Sequence, residues 1–439
     1  MFMGLASLYL LFYLPKRKTM PVPYWRLSGF YGLYFALIGC IVPFWGIYLQ
    51  HRSFSAADIG LLLALFSAVR IVAPNIWASL SYSVEHIIAP IQLMRLGGVL
   101  MTLSFVAFYW ATEFWHYAVI MLIYGFFWSA ILPQYETLTL DHIKDNVSIY
   151  SNMLLWGSTG FIIVVTVLGW AFDYISIENL PAIMLGIMAL IVLNSLVLIP
   201  APDLKTASAP EIVNDQAIES GQEVESHQDA KNETAIAQRN TPEQQDKNRR
   251  LKIGLYSFLI INVLLQITHG PYYVFFTMHL QQFDYSNSMI GLLWSLGVLA
   301  EIVLFWKISF FMRRWSWREL VILSLLLTAV RWAITAYFAS NLTLLIFAQC
   351  LHAFSFALLH VVSISYIGLF FPGKQRLQGQ ALYSGLGFGL GGALGAYLAG
   401  VTWAIQGSQF VFISAAAIAL IAAVIAFYGL PKKIFERSR

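Results

Sequence analysis

Nine of the charged or imidazole side chains inside the long apolar stretches of this 439-residue sequence are candidates for chemistry. They are Arg70, Glu136, His269, His279, Glu301, Lys307, Arg331, His352 and His360. A charge in bilayer hydrocarbon costs at least about 2.5–3.5 kcal/mol, so such residues persist where a bundle interior or a water-filled path uses them. Imidazoles and buried carboxyl groups can exchange protons. The pattern therefore indicates movement of protons or ions. We expect Lys307 and His279, which lie near segment ends, to reach the interface instead.

Spacing places several of these side chains on shared helix faces. The three sets are Gln266, His269 and Tyr273, then Trp294 and Glu301, and then His352, Phe356, His360 and Ser363. The apolar segments also contain tryptophans, such as Trp128 and Trp156, that lie away from the interfacial belts. Most aromatic side chains in a helical bundle are packing residues, but these could contact an aromatic ligand.

Glu301 is the best candidate for a proton carrier, because its charge state would follow whether Arg70 or a substrate anion is its neighbour. The alternative is a permanent ion pair. Arg331 is expected to be structural, as a partner for Glu301 or for a backbone carbonyl. Glu136 follows Pro133 near one end of its segment, where a gate role competes with proton coupling. For each histidine, the competing interpretation is a hydrogen-bonded imidazole in the core.

The composition places these side chains in a membrane protein. Hydrophobic residues make up 59% of the chain and charged residues 11%, with a mean hydropathy of +0.69, whereas soluble proteins carry about 25% charged residues. This balance excludes a cytosolic enzyme, a nucleic-acid binder and a disordered hub. Cys40 and Cys350 lie in apolar segments and imply no disulfide framework. The sequence has no metal-ligand spacing, phosphate loop or nucleophile motif. We therefore predict no enzymatic activity and no cofactor, with a proton gradient as the energy source.

Twelve segments reach the roughly 20 apolar residues that span a bilayer. They are residues 26–50, 57–80, 89–110, 116–140, 149–172, 180–200, 253–281, 288–311, 319–339, 342–371, 377–405 and 408–430. We predict an all-α membrane protein with 12 transmembrane helices. Six helices form an N-terminal bundle (26–200), and six form a C-terminal bundle (251–430) that precedes a cytoplasmic tail (431–439).

Residues 201–250 separate the two bundles. They contain no Phe, Trp or Tyr, and they hold ten of the 22 acidic and six of the 26 basic residues. Such a segment buries too little apolar surface to offset its ordering entropy, so we expect a disordered linker. Residues 1–25 form an N-terminal extension in which an apolar stretch precedes a basic run, the reverse of a signal peptide. One interpretation is that translation begins at Met20.

Basic residues predict the orientation, because short cytoplasmic loops carry an excess of Lys and Arg. One set of loops offers only Arg52. The other set, with the termini, contains Lys16, Arg17, Lys18, Lys144, Arg249, Arg250, Arg313, Arg314, Arg318, Lys374, Arg376, Lys432, Lys433, Arg437 and Arg439. Both termini and the linker are therefore expected in the cytoplasm.

The two bundles repeat in sequence. A shift of 231 residues aligns FSAADIGLLLALFSAVRIV (54–72) with YSNSMIGLLWSLGVLAEIV (285–303). Such a repeat predicts pseudo-two-fold symmetry about the membrane normal, with a substrate site between the halves near the midplane. It also places Arg70 and Glu301 at equivalent depths. The small residues of the run GLGFGLGGALG (385–395) predict close packing between helices, which would permit the two halves to rock against each other.

Seven runs carry a resemblance to a known family. They are IVPFWGIYL (41–49), IGLLLALFSAVR (59–70), LLQITHGPYY (264–273), GLLWSLGVLAEI (291–302), VRW (330–332), LHAFSFALLH (351–360) and RLQGQALYS (376–384). With the two-times-six layout, they make the chain after Met20 resemble the major facilitator superfamily, and within its lactose-permease-like branch the phenylpropionate permease family. The resemblance implies a proton-coupled importer of small aromatic acids in a bacterial inner membrane. By position it implicates Arg70, Gln266, His269, Tyr272, Tyr273, Trp294, Glu301, Arg331, His352 and His360, and Glu136 matches an acidic position of the fourth helix.

One position departs from the family pattern. Relatives have an Arg just before a Leu-Trp-Gly-Ser run in the fifth helix, where this chain has Leu154. Glu136 therefore lacks the partner that the resemblance leads us to expect.

We predict a secondary active transporter, a proton symporter that imports a small aromatic carboxylic acid such as 3-phenylpropionate by alternating access. The substrate ring would lie among Trp and Tyr side chains, including Trp128 and Trp156. Its carboxylate would meet Arg70 or a protonated His269. The residues expected to handle the coupled proton are Glu301, His360, His352 and Glu136.

Other functions fit the same layout. Within transport, the alternatives are a nucleoside or sugar proton symporter and a drug-exporting proton antiporter. From another class, a membrane receptor could bind the ligand without moving it. The expected partners are a small organic anion, protons and the lipid bilayer, with no nucleic acid, and the protein is expected to be monomeric.

Overall fold

The computed structural model of the chain describes residues 23–84, 88, 90–143, 147–198 and 242–431. These residues contain helices and no strand, and twelve helices are long and apolar enough to cross a membrane. The helices, numbered α1 to α12, are Tyr24–His51, Ala56–Val84, Ile91–Trp110, Phe114–Leu140, Ile149–Ala171, Ile177–Leu196, Asn248–Gln281, Asn287–Arg314, Trp317–Tyr337, Leu342–Phe370, Gln378–Gln406 and Ser408–Gly429. The predicted all-α fold with 12 spanning helices is confirmed, with boundaries that differ by a few residues.

The helix that contains α7 starts earlier than the sequence pattern predicts. It is continuous over Pro242–Gln281, so residues 242–250 are helical and the prediction of disorder was wrong for them. Asp246 and Arg250, four residues apart, form an ion pair at 2.8 Å on this exposed extension, a spacing that stabilises helices. The rest of the predicted linker, the N-terminal extension with Met20 and the basic tail from residue 432 onward lie outside the described residues.

Four wide π-helical turns interrupt the spanning helices, at Ile41–Trp45 in α1, Asn194–Leu198 at the end of α6, Ala353–Leu358 in α10 and Gly385–Gly391 in α11. Such turns occur frequently at functional sites. In α7, by contrast, the helix continues through Pro271. The neighbouring Gly270 instead allows a close approach, because a Cβ on Gly270 would overlap the backbone of Gly395 in α11.

The chain reverses direction at each connection, so the helix ends form two faces. The linker face carries the start of α1, both ends of the linker and the end of α12. The opposite face carries the connections at residues 51–56, 110–114, 171–177, 281–287, 337–342 and 406–408. Glu301, Arg331 and His352 lie near the middle of α8, α9 and α10.

Glycines allow several close contacts between the halves toward the opposite face, and two of these crossings form a pair. In the first, between α2 and α11, a Cβ on Gly60 would lie 2.7 Å from Gly400 Cα. In the second, between α5 and α8, a Cβ on Gly169 would lie 2.6 Å from the Asn287 carbonyl oxygen and 3.2 Å from Gly291 Cα. The shift of 231 residues converts Gly60 to Gly291 and Gly169 to Gly400. The two crossings are therefore related by the internal repeat, as pseudo-two-fold symmetry requires.

Apolar packing follows the same arrangement. One large buried cluster continues from the N-terminal half, for example Phe44 and Leu62, into the C-terminal half at Tyr272 and Trp294. A second cluster around Phe356 is built mainly from C-terminal helices toward the linker face. Together with the glycine crossings, this packing closes the boundary between the halves on the opposite face.

Candidate functional site

Buried polar side chains from four helices meet in the centre of the C-terminal half. Glu301 from α8 lies with its Oε1 2.8 Å from Nε2 of His352 in α10. Nη1 of Arg331 in α9 donates a hydrogen bond to Nδ1 of the same imidazole at 2.9 Å, and another to Ser355 Oγ at 3.1 Å. Glu301 is 2% exposed and Arg331 0%. We call Glu301, Arg331 and His352 the central triad.

Hydrogen-bond chemistry fixes the tautomer of His352. A guanidinium nitrogen can only donate, so Nδ1 of His352 must accept from Arg331. In a neutral imidazole the proton is then on Nε2, which donates to Glu301. While Arg331 stays in place, an additional proton cannot bind at Nδ1 of His352. Oε2 of Glu301 has no hydrogen-bond partner among the described residues, so it is the atom of the triad that can accept a proton.

Aromatic rings support Arg331 in this low-dielectric position. Its guanidinium carbon lies 4.2 Å from the ring centres of both Tyr272 and Trp332, which is cation–π geometry. Tyr272 also donates a hydrogen bond to Gln349 Oε1 at 3.0 Å. Arg331 was predicted to be a structural partner of Glu301, and the contact runs through His352. Gln349 lies one helical turn before His352, and this spacing was its sequence signal.

His269 from α7 lies beside the triad without bonding to it. Its ring centre is 6.2 Å from that of His352 and 5.3 Å from that of Trp332. Nδ1 donates to the Leu265 carbonyl oxygen at 2.9 Å, so Nε2 is the nitrogen that carries the lone pair. Nε2 has no hydrogen-bond partner among the described residues. This part of the molecule can therefore accept a proton at Nε2 of His269 as well as at Glu301.

His360 occupies a separate position toward the linker face. The Phe356 ring lies between the two imidazoles of α10, with its centre 5.6 Å from that of His352 and 6.2 Å from that of His360. Nδ1 of His360 is 3.0 Å from the Tyr383 hydroxyl of α11. The sequence pattern placed His360 on the correct face, but the hydroxyl partner from another helix was missed.

In the N-terminal half, Arg70 faces aromatic side chains. It is an electrostatic neighbour of Tyr34 in α1 and of Tyr273 in α7, so its surroundings include both halves. Tyr34 packs on Trp128 with ring centres 5.1 Å apart. Trp128 is 7% exposed and also contacts Tyr124. Arg70, Trp128 and the half-buried Tyr273 thus combine a cation and aromatic surface at the boundary between the halves.

Glu136 has a hydroxyl partner from the fifth helix. Oε1 of Glu136 accepts a hydrogen bond from the Tyr150 hydroxyl at 3.3 Å. Leu154, one turn later in α5, is buried in apolar packing. Glu136 is an electrostatic neighbour of Tyr31 and Tyr34. The structure places this carboxyl in the N-terminal half, apart from the central triad.

The other candidate residues serve mainly in packing. Trp294 donates to Thr277 Oγ1 at 3.1 Å and lies 4.2 Å, between ring centres, from Tyr272. Gln266 is buried against the α11 glycines. Trp156 is 38% exposed and donates to the Tyr24 hydroxyl near the linker face, away from Arg70.

Lys307 and His279, which were both expected to reach the membrane interface, differ in their exposure. Lys307 is exposed, with its ammonium 4.6 Å from the Trp306 ring centre. His279 is fully buried, and its Nε2 donates to the Thr335 carbonyl oxygen at 2.9 Å. The prediction that His279 reaches the interface was wrong, because packing of α7 on α9 supplies a partner inside the bundle.

Two repeat-related halves of six spanning helices, with a buried cluster of ionisable groups in the C-terminal half, define a membrane transporter of the major facilitator type. The chain belongs to the MFS_1 like family, which its sequence matches over residues 24–414. It is a multi-pass membrane protein and not an enzyme, because the family that its sequence matches and its sequence homologues are transporters of this type.

Individual relatives agree with this family. The chain is 28% identical over 371 residues to the "Probable 3-phenylpropionic acid transporter" of Escherichia coli (strain K12), with 83% of this chain and 87% of that protein covered. The crystal structure of the nucleoside transporter NupG superimposes with a TM-score of 0.73 at 19% identity, covering 92% of this chain and 98% of that one. A bacterial homologue of the human lysosomal transporter Spinster, in an inward-facing conformation, gives a TM-score of 0.60 at 13% identity, covering 93% and 96%. The two structures establish the fold alone.

Proposed function

We propose that the protein is a proton symporter that imports a small aromatic carboxylate, such as 3-phenylpropionate, by alternating access. The observation that carries the proposal is the central triad, a buried carboxyl held by a neutral imidazole with one oxygen open to a proton. The relative described as a probable 3-phenylpropionic acid transporter supports the substrate class. The protein would lie in the bacterial inner membrane as a monomer, with its termini and linker in the cytoplasm.

The substrate would bind between the halves. Its carboxylate would pair with Arg70, and its ring would lie against Trp128, Tyr34 and Tyr273, which surround that guanidinium. Proton binding at Glu301 Oε2 would neutralise that carboxylate, so the triad would keep the positive charge of Arg331 and would no longer carry an anion that repels the substrate. The electrostatic link between the two steps is Tyr273, a neighbour of Arg70, Arg331 and Glu301. Because the proton and the substrate anion carry opposite charges, loading both leaves the net charge of the buried centre unchanged, and no additional charge has to be carried through the apolar boundary.

Roles within the proton pathway differ from residue to residue. Glu301 would carry the proton. His352 would position the Glu301 carboxyl and would not itself take up a proton, because Arg331 occupies Nδ1 of His352. His360 would act later, toward the cytoplasm, since the Phe356 ring separates it from His352. With the opposite face closed by the glycine crossings, the described conformation would be the one that releases substrate into the cell.

Uptake by proteoliposomes with an imposed pH gradient tests the proposal. Wild-type protein should accumulate labelled 3-phenylpropionate when the outside is acidic. Glu301→Gln should lose gradient-driven accumulation but keep exchange of internal for external substrate. The matched control is Glu178→Gln, since Glu178 is an exposed carboxyl on the opposite face.

Several results would contradict the proposal. Unchanged gradient-driven uptake in Glu301→Gln would remove Glu301 from coupling. Uptake of nucleosides or sugars without aromatic acids would move the protein to another symporter class, and proton-driven efflux of dyes would indicate an antiporter. Binding of an aromatic acid without any flux would indicate a receptor.

A further inference from the structure

We propose that Asp173 is a latch that holds the two halves together on the opposite face by capping the first turn of α8 across the boundary between them. The latch would act in the conformational cycle of the transporter, whichever substrate it carries. Its contacts join residues about 115 positions apart in the chain.

The first step is the hydrogen-bond requirement of α8. The first N–H groups of a helix have no partner within the helix. In α8, Ser286 Oγ accepts from Met289 N at 3.2 Å. Asn287 N donates to Asp173 Oδ1 at 2.7 Å, and Ser288 N donates to Asp173 Oδ2 at 3.1 Å. Two N–H groups of this turn are therefore satisfied by a carboxylate that belongs to the other half.

Side chains strengthen the same junction. The Ser288 hydroxyl also donates to Asp173 Oδ2. The Asn287 side-chain amide donates to the Phe172 carbonyl oxygen at 3.0 Å, and its Oδ1 accepts from Gln281 at 3.0 Å. The junction thus connects the end of α5 to the start of α8 through four direct hydrogen bonds. Gly169 and Gly291 cross immediately beneath it.

The negative charge of Asp173 strengthens the cap. The N-terminus of a helix carries a partial positive charge, and a carboxylate beside it is stabilising. The first turn of α8 contains no acidic residue of its own, so Asp173 supplies the negative charge from the connection that follows α5. When the halves separate on this face, the carboxylate and both N–H groups must exchange this contact for water.

The repeat-related crossing has no such latch. The shift of 231 residues converts Asp173 to Ala404, and it converts Ala56 and Ala57 to Asn287 and Ser288. At that crossing α2 is capped from within, because Asp58 in its first turn accepts from Ser55 N at 3.1 Å. Both crossings are closely packed, and among the described residues the α5–α8 crossing has in addition a carboxylate cap that position 404 cannot supply at the other. Asp173 is expected to control opening at the α5–α8 side.

Cysteine labelling in the full-length protein measures the latch directly. Ser295 Oγ lies 2.9 Å from Thr166 Oγ1 across the boundary and is 4% exposed, so Ser295→Cys reports opening. The background carries Cys40→Ala and Cys350→Ala, and the reagent is a membrane-impermeant maleimide added from the opposite face. Asp173→Asn should label at least about fivefold faster, as expected when a helix-capping charge is lost.

Controls separate the latch from general loss of stability. Asp58→Asn removes a carboxylate on the same face that bonds, among the described residues, to Ser55 of its own half. Its labelling rate should stay within about twofold of the parent. Asp173→Glu should fall between the parent and Asp173→Asn. Hydrogen exchange of residues 286–289 should accelerate in Asp173→Asn and not in Asp58→Asn.

The proposal is overturned if Asp173→Asn and Asp58→Asn label equally fast, or if exchange at residues 286–289 is unchanged. If Asp173→Asn fails to fold, Ser288→Ala removes one donor to the carboxylate and should give a smaller acceleration of labelling. An unchanged rate there would overturn the proposal too. Because no substrate is added, failure of the latch is distinguishable from failure of the transport proposal.

Discussion

Nη1 of Arg331 lies 2.9 Å from Nδ1 of His352, and the direction of this hydrogen bond determines where a proton can bind in the centre of the C-terminal half. Because a guanidinium cannot accept, His352 is held as the tautomer that donates to Glu301. Arg331 and Glu301 are thereby connected through one imidazole.

This connection predicts strong non-additivity between Arg331 and Glu301. Arg331→Met alone leaves the Glu301 carboxylate buried without its cation, and loss of one partner of a buried pair costs about 3–5 kcal/mol. Arg331→Met combined with Glu301→Gln removes both charges, so the double variant should be more stable than Arg331→Met alone. The stabilities of the parent, the two single variants and the double variant form a double-mutant cycle, which thermal or denaturant unfolding in detergent measures. Additive effects within about 0.5 kcal/mol would contradict the coupling.

The glycine crossings predict that a single methyl group disrupts the boundary between the halves. A Cβ at position 169 would lie 2.6 Å from the Asn287 carbonyl oxygen, which is too close for contact. Gly169→Ala should therefore destabilise the protein by about 1–3 kcal/mol and favour opening of the opposite face. A matched control is Gly186→Ala in α6, where nothing lies within 4 Å of the added Cβ. Equal unfolding temperatures for both variants would be inconsistent with tight packing at position 169.

The latch predicts a pH-independent effect across the physiological range. Burial alone would raise the pKa of the Asp173 carboxyl, but hydrogen bonds from Ser288 and Asn287 outweigh it and hold the pKa below its ordinary value, which is about 3.9. Because the pKa of Asp173 is lowered in the closed protein, its ionised carboxylate stabilises the closed face fully at any pH above the ordinary pKa. This stabilisation is lost only when the pH falls through the lowered pKa.

The ratio of labelling rates between Asp173→Asn and the parent should therefore be constant from about pH 8 to about pH 5.5. His51 and Glu178 form a separate contact at 3.7 Å on this face, so His51→Ala is included in the background. Comparing rates as a ratio cancels the pH dependence of the thiol itself. A ratio that changes severalfold over this range would show that another titrating group controls the junction.

Two tryptophans provide a test of the proposed ligand site. Trp128 packs on Tyr34 beside Arg70, whereas Trp156 bonds to Tyr24 near the linker face. Trp128→Leu should raise the KM for aromatic acids by about tenfold, consistent with the loss of one to two kcal/mol of aromatic contact. Trp156→Leu should leave the KM within about twofold. Transport assays in proteoliposomes measure both, and equal effects would place the ligand elsewhere.

The sequence alone determined the fold and the depth of the charged residues. A spanning helix requires a continuous apolar run of about 20 residues, so the twelve helices could be recognised from composition along the chain. The repeat that aligns Arg70 with Glu301 also aligned Gly60 with Gly291, and both glycines lie in the crossings. The cost of burying charge marked Glu301, Arg331 and His352 as interior residues before any contact was known.

Only the tertiary structure decided which of these residues are partners. Glu301 contacts His352, although equivalent depth had suggested Arg70, because α8 packs against α10 at that level. Asp173 belongs to a short connection between helices and carries no periodic or apolar signal, yet it caps a helix of the other half. Hydrogen bonds and ion pairs act over about 3 Å, whereas sequence periodicity fixes only the face and depth of a side chain. The packing angle and register of the two bundles therefore supply the information that the sequence pattern lacks.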